Sequence, residues 1–170
     1  MCFNQNNNNR DTENINDLHY EGISHYRGGR YREAIEPLNR AIELIHNNIM
    51  NNHNTFTKCE NERNSLLDEI REEYPFLHDM FYSLGHSYYN IGDYGRAIPN
   101  LLNASKLNPE DENIFHFLAL SYQRIGDYNI ALYYFQRALE LSPNNSHISR
   151  DYEIALAHSR NFIFIMNSRI

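Results

Sequence analysis

The sequence predicts an all-α solenoid: about three stacked helix–turn–helix units, with an inserted helix after the first and a capping helix at the C-terminus. Two observations carry this expectation. The first is a pattern written twice between Phe81 and Pro143. Gly92-Asp93-Tyr94 returns as Gly126-Asp127-Tyr128, a step of 34 residues (126 − 92), and the same step takes Tyr88 to Tyr122, Ala97 to Ala131, Ala104 to Ala138, Leu107 to Leu141 and Pro109 to Pro143. The second is the spacing inside each copy, where Leu84, Gly85 and Tyr88 share one helical face and Ala97, Leu101 and Ala104 share another. A helix pair cannot bury such a face alone, so a fixed period in this range means that neighbours stack.

Each unit is punctuated by its own chemistry. In Asn90-Ile91-Gly92-Asp93-Tyr94 the glycine ends the first helix at its C′ position, and Asp93 caps the second by accepting backbone N–H bonds. Pro109 and Pro143 stop the second helices, because proline lacks the N–H and clashes with the preceding turn. The small residues Gly85/Ala119, Ala97/Ala131 and Ala104/Ala138 fall where helices must approach closely.

Taken in order, residues 1–14 are asparagine-rich and almost free of apolar side chains, which predicts disorder, and they lack the pattern of a signal peptide. The first unit spans 15–46. Gly22, Gly29, Tyr31, Ala34, Leu38 and Ala41 hold the positions of Gly85, Gly92, Tyr94, Ala97, Leu101 and Ala104, with His25 in place of the tyrosine and Pro37 near the start of the second helix. The step from Gly29 to Gly92 is 63 residues (92 − 29), so 29 residues beyond one period are inserted at about 47–77. Within them, Leu66, Leu67 and Ile70 form a narrow apolar stripe among charged residues, predicting an extra helix over Glu60 to Tyr74. Units two and three occupy 78–111 and 112–145. Residues 146–170 then supply the cap, with Ile148, Tyr152, Ala155, Leu156 and Ser159 facing the last unit. The run Phe162-Ile163-Phe164-Ile165-Met166 is too short to span a bilayer and is expected to pack as the end of the cap.

These residues resemble the tetratricopeptide repeat (TPR) family, and the resemblance covers all three units. It implies a right-handed superhelical α-solenoid whose first helices line a concave groove that holds a partner peptide. Carried over by position, the groove residues are Tyr20 and Arg27 from the first unit, Tyr82, His86, Tyr89 and Asn90 from the second, and His116, Phe117, Leu120 and Arg124 from the third. Around them the same register places His19, Ile23, Tyr26, Asp79, Ser83, Asn113 and Gln123, and the cap adds His147, Arg150 and Asp151. One subfamily clamps the C-terminal carboxylate of chaperone tails with lysine, asparagine and arginine. Here those positions read His19, Ile23, Ser83, Asn113 and Phe117, or in the frame one unit later Tyr82, His86, Phe117, His147 and Asp151, and neither frame supplies the basic groups a carboxylate needs.

Composition narrows the function classes. A hydrophobic content of 41% with 22% charged residues fits a soluble globular chain, and a net charge of −7 argues against nucleic acid or an anionic membrane as the main partner. Cys2 and Cys59 form no C-x-x-C pair, so no disulfide framework or zinc site is indicated, and a reducing, cytoplasmic setting is expected. No H-E-x-x-H, P-loop, G-x-S-x-G or dinucleotide fingerprint is present, so no catalytic residues, metal ligands or cofactors are expected. The expected role is a protein-interaction scaffold or adaptor that binds a partner peptide or helix. The alternatives are a small chaperone for a secreted or assembling client, and a self-assembling protein that uses the apolar tail or the insertion.

Overall fold

The computed structural model describes residues 8–52 and 60–167, with side chains over 15–51 and 66–160. Among the described residues eight helices follow one another: α1 (Asn8–Arg27), α2 (Tyr31–Asn52), α3 (Glu60–Glu73), α4 (Leu77–Asn90), α5 (Tyr94–Leu107), α6 (Glu112–Arg124), α7 (Tyr128–Leu141) and α8 (Ser146–Asn167). Among the described residues there is no strand, and no helix is long and apolar enough to cross a membrane. α1 begins at Asn8, inside the stretch expected to be disordered, because extending a helix already nucleated costs little. Residues 1–7, the link 53–59 and the tail side chains from Asn161 onward lie outside the description.

The turn chemistry repeats three times. Gly29, Gly92 and Gly126 have φ of 69°, 83° and 86°, a left-handed conformation that glycine adopts without a Cβ penalty. At Gly92 the glycine N–H donates to Tyr89 O at 3.0 Å and the next N–H, of Asp93, donates to Tyr88 O at 2.9 Å. The same pair of bonds closes the turns at Gly29 and Gly126, satisfying carbonyls that the helix end would otherwise leave open. Asp93 then accepts from Arg96 N at 3.1 Å, and Asp127 from Ile130 N at 3.3 Å, which starts α5 and α7.

Packing follows the small residues. Ala34, Leu38 and Ala41 in α2, Ala97, Leu101 and Ala104 in α5, and Ala131, Phe135 and Ala138 in α7 are all fully buried. Each buried leucine contributes on the order of 2 kcal/mol. A Cβ built on Gly85 would lie 2.7 Å from Leu101 Cγ, and one on Gly22 would lie 2.6 Å from Leu38 Cγ. Unit three solves the same approach with Ala119 in the glycine's place and Phe135 in the leucine's, both completely buried. α1, α4, α6 and α8 touch in succession and form one layer, while α2, α5 and α7 form the layer behind, each packed between two members of the first or, for α7, between α6 and α8. α3 stands outside this succession. It is tied down by Arg71, whose Nε and Nη2 donate to Leu107 O at 3.0 Å and Lys106 O at 2.9 Å at the end of α5.

Candidate functional site: the face of the first-helix layer

The exposed face of the α1–α4–α6–α8 layer carries a continuous aromatic cluster. It begins at the end of α1, where the Tyr26 hydroxyl lies 2.7 Å from His86 Nδ1 on α4. Tyr82, one turn before His86, meets Tyr26 edge-on with centroids 6.4 Å apart. The Phe117 ring of α6 closes the middle, 4.0 Å from His86, 5.4 Å from Tyr89 and 6.1 Å from Tyr82. His116 continues the line to the cap, its Nε2 2.8 Å from Asp151 Oδ2 on α8.

Burial sets the electrostatics of this cluster. Desolvation lowers the His86 pKa to about 4, so its ring is neutral, and a neutral ring protonated on Nε2 accepts the Tyr26 hydroxyl at Nδ1. Desolvation also pushes the Tyr26 and Tyr82 hydroxyls above the usual phenol range, which keeps them uncharged donors. His19 is lowered by burial, with Arg27 adding to the effect and Asp79 opposing it. The centre of the face is thus apolar and neutral, and charge stands at its ends.

Two pockets flank the ridge of His86 and Phe117. The first, about 370 Å³, lies between α1 and α4 and is lined by His19, Tyr20, Ile23, Tyr26, Arg27, Phe76, Asp79, Tyr82 and Ser83. The second, about 420 Å³, lies between α6 and α8 and is lined by Leu120, Gln123, Arg124, Tyr128, Asp151, Ile154 and His158. Tyr20 is 80% exposed at the mouth of the first, beside Phe76, which stacks on His19 with centroids 5.2 Å apart. A larger cavity of about 500 Å³ opens on the opposite side, floored by Ile42, Ile45, Ile49, Leu77, Phe81 and Leu107.

The residues expected in the groove are therefore placed as follows. Tyr82, His86, Tyr89, His116 and Phe117 come together in the ring cluster. Tyr20 and Arg27 belong to the first pocket, and Leu120 and Arg124 to the second. Asn90 is exposed between them, its amide donating to His86 O at 2.8 Å within its own helix. Tyr31, Tyr94 and Tyr128 were missed as members of this face. Tyr31 lies 5.8 Å from His86, Tyr94 5.5 Å from Tyr89 and Tyr128 5.7 Å from His158. The signal that would have found them is the motif itself, whose closing tyrosine reads as turn punctuation but also projects beside the last residues of the preceding helix. Among the described residues no group of three or more histidine, cysteine or carboxylate side chains is arranged to hold a metal ion.

Comparison with known proteins agrees with this architecture. Two family models described as tetratricopeptide repeat match residues 78–111 and 113–145. The C-terminal TPR-containing domain of a putative FK506-binding protein from Plasmodium falciparum superposes with a TM-score of 0.72 at 18% identity, over 92% of this chain and 95% of that one. The second TPR domain of human RPAP3, solved in complex with the HSP70 peptide SGPTIEEVD, gives 0.62 at 16% identity over 85% and 97%. The first TPR of Spaghetti (RPAP3), bound to the HSP90 peptide SRMEEVD, gives 0.61 at 14% identity over 85% and 92%. At these identities the likeness is one of fold. No curated protein matches in sequence.

Proposed function

We propose that this tetratricopeptide repeat protein is a non-catalytic scaffold that holds an extended peptide or a helix of another protein against the face of its first-helix layer. The observation that carries this reading is the half-buried ring cluster of Tyr26, Tyr82, His86, Tyr89 and Phe117, open to solvent and flanked by a pocket on each side. Rigid aromatic side chains with neutral polar tips bury apolar side chains of a partner at small entropic cost, while their hydroxyls and ring nitrogens bond its backbone. The similar domains solved with HSP70 and HSP90 peptides lend support to peptide binding. The terminal-carboxylate mode is not part of the proposal, since His19, Ile23, Ser83 and Phe117 bring no permanent positive charge to the clamp positions.

The test is a pull-down from host extract, with partners identified by mass spectrometry, run in parallel on the Tyr89→Ala/Phe117→Ala double variant. Both side chains stand on the exposed face rather than in the deep core, so the helical signal in circular dichroism is expected to stay nearly intact while capture is lost. Equal capture by the double variant would place the binding surface elsewhere.

A further inference from the structure

One register of the repeat puts hydrogen-bond donors in a row. Arg27, Asn90 and Arg124 each stand two residues before the left-handed glycine that ends a first helix, and the next step of 34 from Arg124 reaches His158 on α8. All four are exposed on the first-helix layer, so they run along one edge of the aromatic face. The row also joins the two pockets: Arg27 lines the first, Arg124 and His158 line the second, and Asn90 stands between.

Each pocket's lining also holds one carboxylate, with a histidine beside it. Asp151 of the second pocket is held by His116 at 2.8 Å, and Asp79 of the first lies 3.3 Å from His78 Nε2. Arg27 and Arg124 form no ion pair among the described residues; Arg32, Arg40, Arg150 and Arg160 form none either, but they line neither of these two pockets. Tyr89 and Tyr94 beside Arg124 hold its guanidinium more firmly protonated. On a chain of net charge −7, two guanidinium groups that are not ion-paired stand at the ends of one exposed face.

Building on the peptide-binding reading above, we propose that the partner segment is acidic at two places, with one carboxylate side chain paired to Arg27 and a second paired to Arg124. The spacing follows from the fold. Arg27 and Arg124 are two units apart. With neighbouring helices of the layer about 10 Å apart, the two guanidinium groups stand roughly 20 Å from each other. An extended segment rises about 3.3 Å per residue, so the two acidic residues lie about six positions apart, with apolar or aromatic residues between them over His86 and Phe117. Guanidinium suits this task because its planar fork binds a carboxylate through two parallel N–H···O bonds.

The experiment uses the full chain and fluorescein-labelled peptides of one tyrosine, leucine and serine background that carry a pair of glutamates at varied separation. Counterparts with lysine in place of glutamate serve as controls. Affinity measured by anisotropy is expected to peak near a separation of six, to fall about tenfold in the Arg27→Gln/Arg124→Gln variant, and to be weak for the lysine peptides. The difference between wild type and that variant is expected to shrink as salt is raised. Equal binding of glutamate and lysine peptides, an unaffected arginine variant, or no binding of any peptide would each overturn the acidic-segment proposal. The Tyr89→Ala/Phe117→Ala variant separates the two levels of the argument. Binding that is lost there but indifferent to the arginines sinks the acidic segment alone, whereas binding that survives there removes the aromatic face as the docking surface.

Discussion

His86, a groove position in the repeat register, is the pivot of the candidate site. It touches Tyr26, Tyr31, Tyr82 and Phe117, and burial holds its folded-state pKa near 4 against 6.5 for an exposed ring. Between about pH 6.5 and 4 the unfolded chain takes up a proton at this position that the folded chain refuses. Stability therefore falls as pH drops through that window, and above it this residue adds no pH dependence. His86→Gln is expected to flatten the stability–pH curve there by up to one proton. That is at most about 1.4 kcal/mol per pH unit, and less because the ring is partly solvated. Urea midpoints at pH 4.5 and 7 for both proteins measure it, and an identical slope would contradict the assignment. The register of Gly85 puts His86 on the outer face of the first-helix layer. The sequence does not show the desolvation, because the rings of Tyr26, Tyr31 and Phe117 that pack on His86 come from other helices.

At the scale of elements, the turns and caps were the most legible parts, since each rests on residues adjacent in sequence: Gly92 and Asp93, Gly126 and Asp127. The inserted helix was legible from its apolar stripe, but its attachment was not. Arg71 reads as one of many charges in that segment, yet its guanidinium bonds two carbonyls at the end of α5 and a carboxylate, Asp68, on its own helix at 2.6 Å. The pairing is non-local and involves main-chain acceptors, which carry no sequence signature. Those two carbonyls belong to Lys106 and Leu107, which also border the cavity behind the first-helix layer, so this contact holds α3 beside it. Arg71→Ala is expected to release α3 and raise amide exchange over 66–73 at least tenfold, roughly the ~1.5–3 kcal/mol of charge-assisted hydrogen bonds. Protection within α4 and α5 is expected to be unchanged. If exchange over 66–73 did not move, α3 would be held by its apolar stripe instead.

The whole molecule is quasi-one-dimensional: helices contact their neighbours in the chain order of the stack, and α8 meets only α6 and α7 among the elements with substantial contact. Stability in such an array is a sum of unit terms and nearest-neighbour interface terms, so damage at one end should stay there. α8 offers a clean place to test this. Ile148 is buried against the last unit, Tyr152 meets Phe135 edge-on at 6.5 Å, and Ala155 is completely enclosed. Ile148→Ala leaves the helix-starting bonds from His147 N and Ile148 N to Asn145 Oδ1 intact and removes only packing. The expected cost is about 2–4 kcal/mol at that interface. Amide exchange is expected to quicken over α6, α7 and α8 while α1 and α2 keep their protection. A uniform loss from α1 to α8 would mean instead that the stack unfolds as one cooperative block. The Arg27 and Arg124 ends of the aromatic face would then rise and fall together rather than independently.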